Sequence, residues 1–258
     1  MTNEFLNKKI LITGGSKGLG KAAAIAFEKK GANLAIVARD KEKIDDLEKS
    51  FSDPKKHIFF KLDLFDSKNI KILTNNILDQ WSKIDVILHC IGGSFGLNET
   101  LMNWDDFAKS LKGNIGIASE INKYIVPIMK TQGYGNIIHV GSIVGYETNA
   151  SIPYSTAKAA LSGYIRSLGK KLIGDGIIVA GILPGSFYGD DNSMFRYEYY
   201  KSEEYSEFVK SLPQKRMPHA NEFLPMIFLL SNPESKVLSG SLITMDGSQG
   251  NAYFNYSG

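Results

Sequence analysis

The sequence predicts an α/β fold: a doubly wound parallel sheet with helices on both faces, three layers in a single domain. Three observations carry that expectation. Short runs rich in β-branched residues recur along the 258 residues, each followed by a longer amphipathic stretch. The runs are nearly continuously apolar, as strands buried on both faces must be. A glycine-rich turn, Thr13-Gly14-Gly15-Ser16-Lys17-Gly18-Leu19-Gly20, directly follows the first run.

Each element follows from its local pattern. Lys9–Thr13 (KILIT) is the first strand, and Gly18–Lys30 a helix stopped by Gly31. Asn33–Ala38 (NLAIVA) is the second strand, before a charged helix at Lys41–Ser50. His57–Leu62 is the third strand, Ser67–Ser82 its helix, and Ile84–Cys90 the fourth strand. One long helix is expected over Trp104–Lys130, then a strand at Asn136–Val140. A second long helix covers Pro153–Ile173, and Gly176–Leu183 is the sixth strand. Phe187–Pro218 breaks the rhythm and reads as irregular. Asn221–Leu230 is a short helix, and Ser241–Met245 the last strand.

Composition removes several classes of function. With 43% hydrophobic and 22% charged residues, the chain has the make-up of a folded globule. A lone cysteine, Cys90, forbids an intramolecular disulfide and fits a reducing, cytoplasmic setting. His57, His89, His139 and His219 are too scattered for a local metal motif, so no metal is expected. No apolar run approaches the roughly 18 residues of a membrane span. The opening MTNEFLNKKILITGG enters a strand directly, without the apolar core of a signal peptide. The net charge of +3 comes from dispersed Lys and Arg, a solvated surface rather than a nucleic-acid footprint.

The turn after the first strand carries chemistry. Gly14, Gly18 and Gly20 give the spacing G-x-x-x-G-x-G. Such a loop turns tightly, lets backbone N–H groups approach a pyrophosphate, and ends at a helix N-terminus with partial positive charge. Ligands of doubly wound sheets bind beyond the carboxyl ends of the strands, where this loop lies.

This spacing resembles the TGxxxGxG signature of the short-chain dehydrogenase/reductase superfamily, in its compact single-domain form. Other motifs follow in that family's order. Asn114, Ser142, Tyr154 and Lys158 match its Asn–Ser–Tyr–Lys tetrad. Tyr154-Ser155-Thr156-Ala157-Lys158 matches YxxxK, and Pro184-Gly185 matches the PG after the sixth strand. The resemblance runs from about residue 8 to about residue 247. It implies one Rossmann-type NAD(P)-binding domain over residues 1–258, with a substrate lid at about 186–218. It also implies hydride transfer between a nicotinamide cofactor and a carbonyl or secondary alcohol.

The tetrad chemistry is physically reasonable. A free tyrosine, with a pKa of about 10, is a poor proton partner at neutral pH, and a nearby cation lowers that value. Tyr154 and Lys158 are i and i+4 on a helix, so Lys158 is expected to act on Tyr154. By resemblance Lys158 also holds the nicotinamide ribose, Ser142 bonds the substrate oxygen, and Asn114 orients a water. Asn114 lies between Gly113 and Gly116, where a local hydrogen bond is the competing role.

The second strand ends in Ala38-Arg39, where an NAD-type site would place a carboxylate. Arg39, with Lys17 from the glycine loop, suits a 2′-phosphate, so the expected cofactor is NADP(H). Asp40 is expected to cap the next helix. Asp63 resembles the family residue at the adenine amino group, with a helix cap as the competing role. The expected cofactor contacts are Gly14, Ser16, Lys17, Gly18, Leu19, Gly20, Arg39, Asp63, Leu64, Gly92, Tyr154, Lys158, Pro184 and Gly185.

Two positions depart from the family pattern. His89-Cys90-Ile91-Gly92 stands where the family usually has NNAG, and Gly189 where many members have a threonine near the nicotinamide amide. His89 then reads as a structural hydrogen-bonding residue and Cys90 as a small buried hydrophobe, leaving nicotinamide orientation to backbone groups or Ser186. The lid region holds aromatics, including Phe187, Tyr188, Tyr197, Tyr205 and Phe208, that suit a ring, a sugar or an acyl chain. The alternatives are a 3-oxoacyl thioester (acyl carrier protein) reductase and a non-catalytic dinucleotide sensor; an intact Tyr154–Lys158 pair argues against the sensor. By resemblance, the two long helices match those the family uses for a dimer face, which implies a homo-oligomer, a tetramer or a dimer, with small residues Ala157, Ala159, Ala160, Ser162 and Gly163 on the second helix allowing close approach.

Overall fold

The computed structural model describes residues 4–147 and 150–251. Its sheet contains β1 (Lys9–Thr13), β2 (Asn33–Ala38), β3 (Ile58–Lys61), β4 (Val86–His89), β5 (Gly135–Val140), β6 (Ile177–Pro184) and β7 (Leu242–Met245). The order is β3-β2-β1-β4-β5-β6-β7, and every neighbouring pair is parallel. The strand order reverses between β1 and β4, which opens a crevice at their carboxyl ends.

Alternation along β1 sorts the core into two halves. Ile10 and Ile12 join Leu34, Ile36 and Phe27 on one face, under α1 (Gly18–Lys29). Leu11 joins Val37, Ile87 and Ile137 on the other. That face is covered by α3 (Ser67–Gln80), α5 (Ile117–Gln132) and α6 (Ile152–Leu172) through Leu73, Ile121 and Leu161. The sequence pattern places β1, β2 and α2 (Lys41–Ser50) at the bounds found. Asp40 caps α2 as expected, accepting a hydrogen bond from the Lys43 amide at 3.2 Å.

Three differences are informative. The expected helix over 104–130 is interrupted: α4 (Trp104–Leu111) and α5 flank a π-helical turn at Lys112–Gly116. There the Ile117 amide reaches back to the Lys112 carbonyl, and the Asn114 amide group bonds the Ser110 carbonyl at 2.9 Å. The segment 187–218 is not irregular, because it forms α7 (Ser193–Tyr200) and α8 (Ser202–Ser211). Tyr197 packs edge-on against Tyr205 at 5.9 Å and beside Phe208, so part of the aromatic content closes the helix pair on itself. A bridge between Tyr188 and His219 ties the ends of this excursion together. The last helix begins as a tighter turn at Ala220–Phe223, and α9 is Leu224–Leu230, with Pro225 in its first turn.

Candidate active site

A cavity of about 1010 Å³ opens at the carboxyl ends of the strands. Gly14, Ser16, Lys17, Gly18, Leu19, Gly20, Arg39, Asp63, Leu64 and Gly92 line it, as do Ser142, Tyr154, Lys158, Pro184 and Gly185. Residues separated by more than a hundred positions thus meet in one space. Of the expected site residues only Asn114 is not in the wall.

The glycine loop is shaped for close approach. Gly14 holds φ +69°, and a Cβ on Gly20 would strike the Gly14 carbonyl oxygen. Gly92 is similarly confined, since a Cβ there would lie 2.8 Å from Asn114 Oδ1 and 3.0 Å from Lys158 Nζ. Asn114, 2% exposed, is spent just behind Gly92. Its Oδ1 accepts from the Gly93 amide at 3.0 Å, and its Nδ2 donates to the Gly93 carbonyl at 3.0 Å. It therefore pins the loop after β4.

α6 brings Tyr154 and Lys158 to the same wall. Pro153 in its first turn accepts the Ser110 hydroxyl through its carbonyl, which fixes the helix start against α4. Lys158 Nζ donates to the Val140 carbonyl at 2.9 Å and lies 5.8 Å from the centre of the Tyr154 ring. Burial pulls Lys158 down to about 8, partly opposed by the Cys90 thiol. Burial pushes Tyr154 above the usual phenol range, opposed by a hydrogen bond with Ser142. The expected depression of Tyr154 by Lys158 is therefore not what this geometry gives. Desolvation of the phenol wins, and Tyr154 is held as a neutral hydroxyl at neutral pH.

His89 and Cys90, which stand where the family this sequence resembles has two asparagines, are packed into the sheet end. His89 and His139 are register partners on β4 and β5 with rings stacked 4.7 Å apart. His89 Nε2 bonds Asn122 Oδ1 at 3.0 Å, and burial lowers His89 to about 4, so it stays neutral. Cys90 is half-buried and lines the cavity, and burial pushes its thiol up to about 12, which leaves it unreactive. Asp63 does not cap α3, whose cap is Asp66; it accepts from the Phe65 amide at 3.0 Å and stays in the wall.

Sequence reasoning missed several wall residues. Gln249, beyond β7, clasps Ser186: its Oε1 accepts from the Ser186 amide at 2.8 Å, and its Nε2 donates to the Ser186 carbonyl at 2.9 Å. No local pattern marks it. Phe95, Val144, Met194, Phe208, Leu212 and Pro213 form an apolar section of the wall. Arg196 on α7 reaches the rim that holds Lys17 and Arg39. Among the described residues, no group of three or more His, Cys, Asp or Glu is placed to hold a metal ion. Nor is any helix among the described residues long and apolar enough to cross a membrane.

Comparison with known proteins agrees with this geometry. A sequence model of the short chain dehydrogenase family matches residues 8–197. A 3-oxoacyl-(acyl-carrier-protein) reductase of Thermotoga maritima is 27% identical over 242 residues, covering 93% of this chain and 96% of that one. An NAD(+)-dependent 2-dehydro-3-deoxy-L-rhamnonate dehydrogenase of Sphingomonas is 26% identical over 257 residues, covering 95% of each. The solved L-sorbose reductase of Gluconobacter frateurii, complexed with NADPH and L-sorbose, superposes with a TM-score of 0.87. It shares 23% identity over 98% of this chain and all of that one, and so speaks for the fold. With a parallel sheet in this order, a glycine loop at its switch point, and a family match over most of its length, the chain belongs to the short-chain dehydrogenase family.

Proposed function

We propose that this protein exchanges a hydride between NADP(H) and a carbonyl or secondary alcohol. The observation that carries the reading is that Ser142, Tyr154 and Lys158 share one cavity with the glycine loop and with Lys17 and Arg39. The residues fit the cofactor: Gly14, Gly18 and Gly20 turn the loop tightly without side chains, and Lys17 and Arg39 line the same cavity. NADPH, when bound, supplies the hydride. The chain's own work is positioning and proton transfer. Tyr154 Oη gives a proton to the substrate oxygen in reduction and takes it back in oxidation. Ser142 Oγ, within reach of Tyr154, holds the same oxygen. Lys158 Nζ holds ribose hydroxyls, Asn114 fixes Gly93 beside it, and Gln249 fixes Ser186 where a threonine is lacking.

The segment 186–218 acts as the substrate lid in this reading, supported by Met194, Phe208 and Leu212 in the cavity wall. Their apolar surface suits a ring or an acyl chain. A 3-oxoacyl thioester is the second reading, favoured by the Thermotoga maritima relative's name and near-complete coverage. NADPH consumption against ketones, keto-sugars and 3-oxoacyl thioesters tests both. Turnover confined to the thioesters selects the second, and none with any carbonyl overturns the function.

Lys158 makes the reaction pH-dependent. Its ammonium is lost as pH rises through about 8, because burial disfavours the charge. The second-order rate constant with NADPH is therefore expected to fall on the alkaline side of that pH, by about tenfold per unit. A pH–rate profile checks this, and a flat alkaline limb contradicts it.

A homo-oligomer, tetramer or dimer, belongs to the same reading, as does a cytoplasmic location, which the single cysteine supports. On α6, Ala157 and Ser162 are buried, whereas Ala159, Ala160 and Gly163 are exposed together. Nothing lies within 4 Å of a Cβ built on Gly163, which leaves room for a second helix. Light scattering is expected to show a multiple of 28.5 kDa, and a 28.5 kDa particle at micromolar protein excludes it.

A further inference from the structure

The rim around Lys17 is richer in charge than the sequence pair Lys17 and Arg39 accounts for. α7 contributes Arg196 and α2 contributes Lys43, and both converge on one carboxylate, Asp191. Lys43 Nζ forms an ion pair with Asp191. Arg196 Nη1 donates to the Asp191 carbonyl at 2.6 Å and lies 3.6 Å from its Oδ1. Lys43 is also 3.8 Å from Asp40. One residue earlier, Asp190 pairs with Lys21 at 2.8 Å, and its carbonyl accepts from the Gly18 amide of the glycine loop at 2.7 Å. The start of the lid is thus tied across the cofactor end of the cavity by anionic and carbonyl oxygens.

Two features make Asp191 a placeholder rather than a permanent partner. Its backbone holds φ 52°, a left-handed conformation uncommon for a non-glycine residue, and its ion pairs supply the compensation. The cluster is also unbalanced. Lys17, Lys21, Arg39, Lys43 and Arg196 face Asp40, Asp190 and Asp191, an excess of two positive charges. Repulsion from Arg196, Lys43 and Arg39 adds to burial in holding Lys17 below the usual lysine range, with Asp191 opposing. A phosphate monoester, carrying close to two negative charges near neutral pH, supplies the missing charge.

We propose that Arg196 and Lys43 are cofactor-selecting residues: the 2′-phosphate of NADPH replaces the Asp191 carboxylate between them, so that the lid helix α7 itself reads the phosphate. The inference rests on the NADP(H) reading and deepens it. Arg196 offers the planar fork that suits phosphate oxygens, and Lys43 a point charge. NADH, lacking the phosphate, leaves Asp191 in place and gains nothing from either residue. The lid would then report which dinucleotide is bound.

Fluorescence titrations of NADPH and NADH on wild type, Arg196→Ala and Asp191→Asn test this. Arg196→Ala is expected to weaken NADPH about tenfold while NADH changes less than about twofold. Asp191→Asn, which removes the competing charge with little change in shape, is expected to tighten NADPH by about threefold or more without affecting NADH. Equal weakening of both cofactors by Arg196→Ala would place it on the pyrophosphate or in lid packing, and would overturn the proposal. So would unchanged NADPH affinity in both variants. Wild type binding the two cofactors equally would instead defeat the NADP(H) reading beneath it. A wild-type preference for NADPH that is undiminished in Arg196→Ala defeats this inference alone.

Discussion

Tyr154→Phe is expected to keep its fold and its NADPH affinity while losing about 100- to 10,000-fold in turnover, the usual range for a lost general acid. The substitution removes one oxygen and leaves the ring. Tyr154 sits in the first turn of a 21-residue helix whose buried face is Ala157, Leu161 and Ile165, so the helix does not depend on the hydroxyl. Burial holds the phenol above its ordinary range. It is therefore protonated at neutral pH, the form that reduction uses, while oxidation needs the tyrosinate and should quicken as pH rises until Lys158 loses its charge at about 8. Circular dichroism, cofactor fluorescence and turnover on one preparation check all three parts. Near-normal turnover would remove Tyr154 from the chemistry.

Arg39→Asp is expected to change cofactor choice. With Lys17, Arg39 and their neighbours on the 2′-phosphate, wild type should prefer NADPH over NADH by roughly 30- to 1000-fold, because charge-assisted contacts are strong but partly screened at an exposed rim. Aspartate at 39 removes a contact, repels the phosphate and offers the carboxylate that an NAD-type ribose prefers. The preference should collapse or invert. Added salt should weaken NADPH more than NADH in wild type, since only the former carries the extra charge. Paired titrations of both cofactors on both proteins measure it, and an unaltered ratio in the variant would take Arg39 out of the phosphate site.

The sheet was legible because buried parallel strands leave nearly pure apolar runs, and β1 and β2 could be bounded to the residue. The glycine loop, Ser142, Tyr154 and Lys158 were legible because each has a fixed place relative to a strand or a helix turn. What escaped depends on contacts distant in sequence. Asn114, expected by resemblance to orient a water or else to bond locally, bonds Gly93 and Ser110 from within a π turn, and nothing in Lys112–Gly116 announces the extra residue in that turn. Gln249 reaches Ser186 over 63 positions, and Arg196 comes near Lys17 only because the segment after β6 folds back onto the glycine loop, with the Gly18 amide bonded to the Asp190 carbonyl. Helices α7 and α8 were hidden because their aromatics pack partly on one another rather than on the sheet. The helical spacing of Tyr154 and Lys158 put them on one wall, but spacing says nothing of dielectric, and burial raises the Tyr154 phenol against the Ser142 hydrogen bond.

The most direct measurement is isotope transfer. The wild-type protein would be incubated with NADPH deuterated at the transferring position of the nicotinamide and with the carbonyl panel, and the products read by mass spectrometry. The account predicts that at least one carbonyl is converted to an alcohol carrying the deuterium on its former carbonyl carbon. Tight NADPH binding with no deuterium passed to any panel member would contradict it, and would make the protein a dinucleotide sensor rather than a reductase.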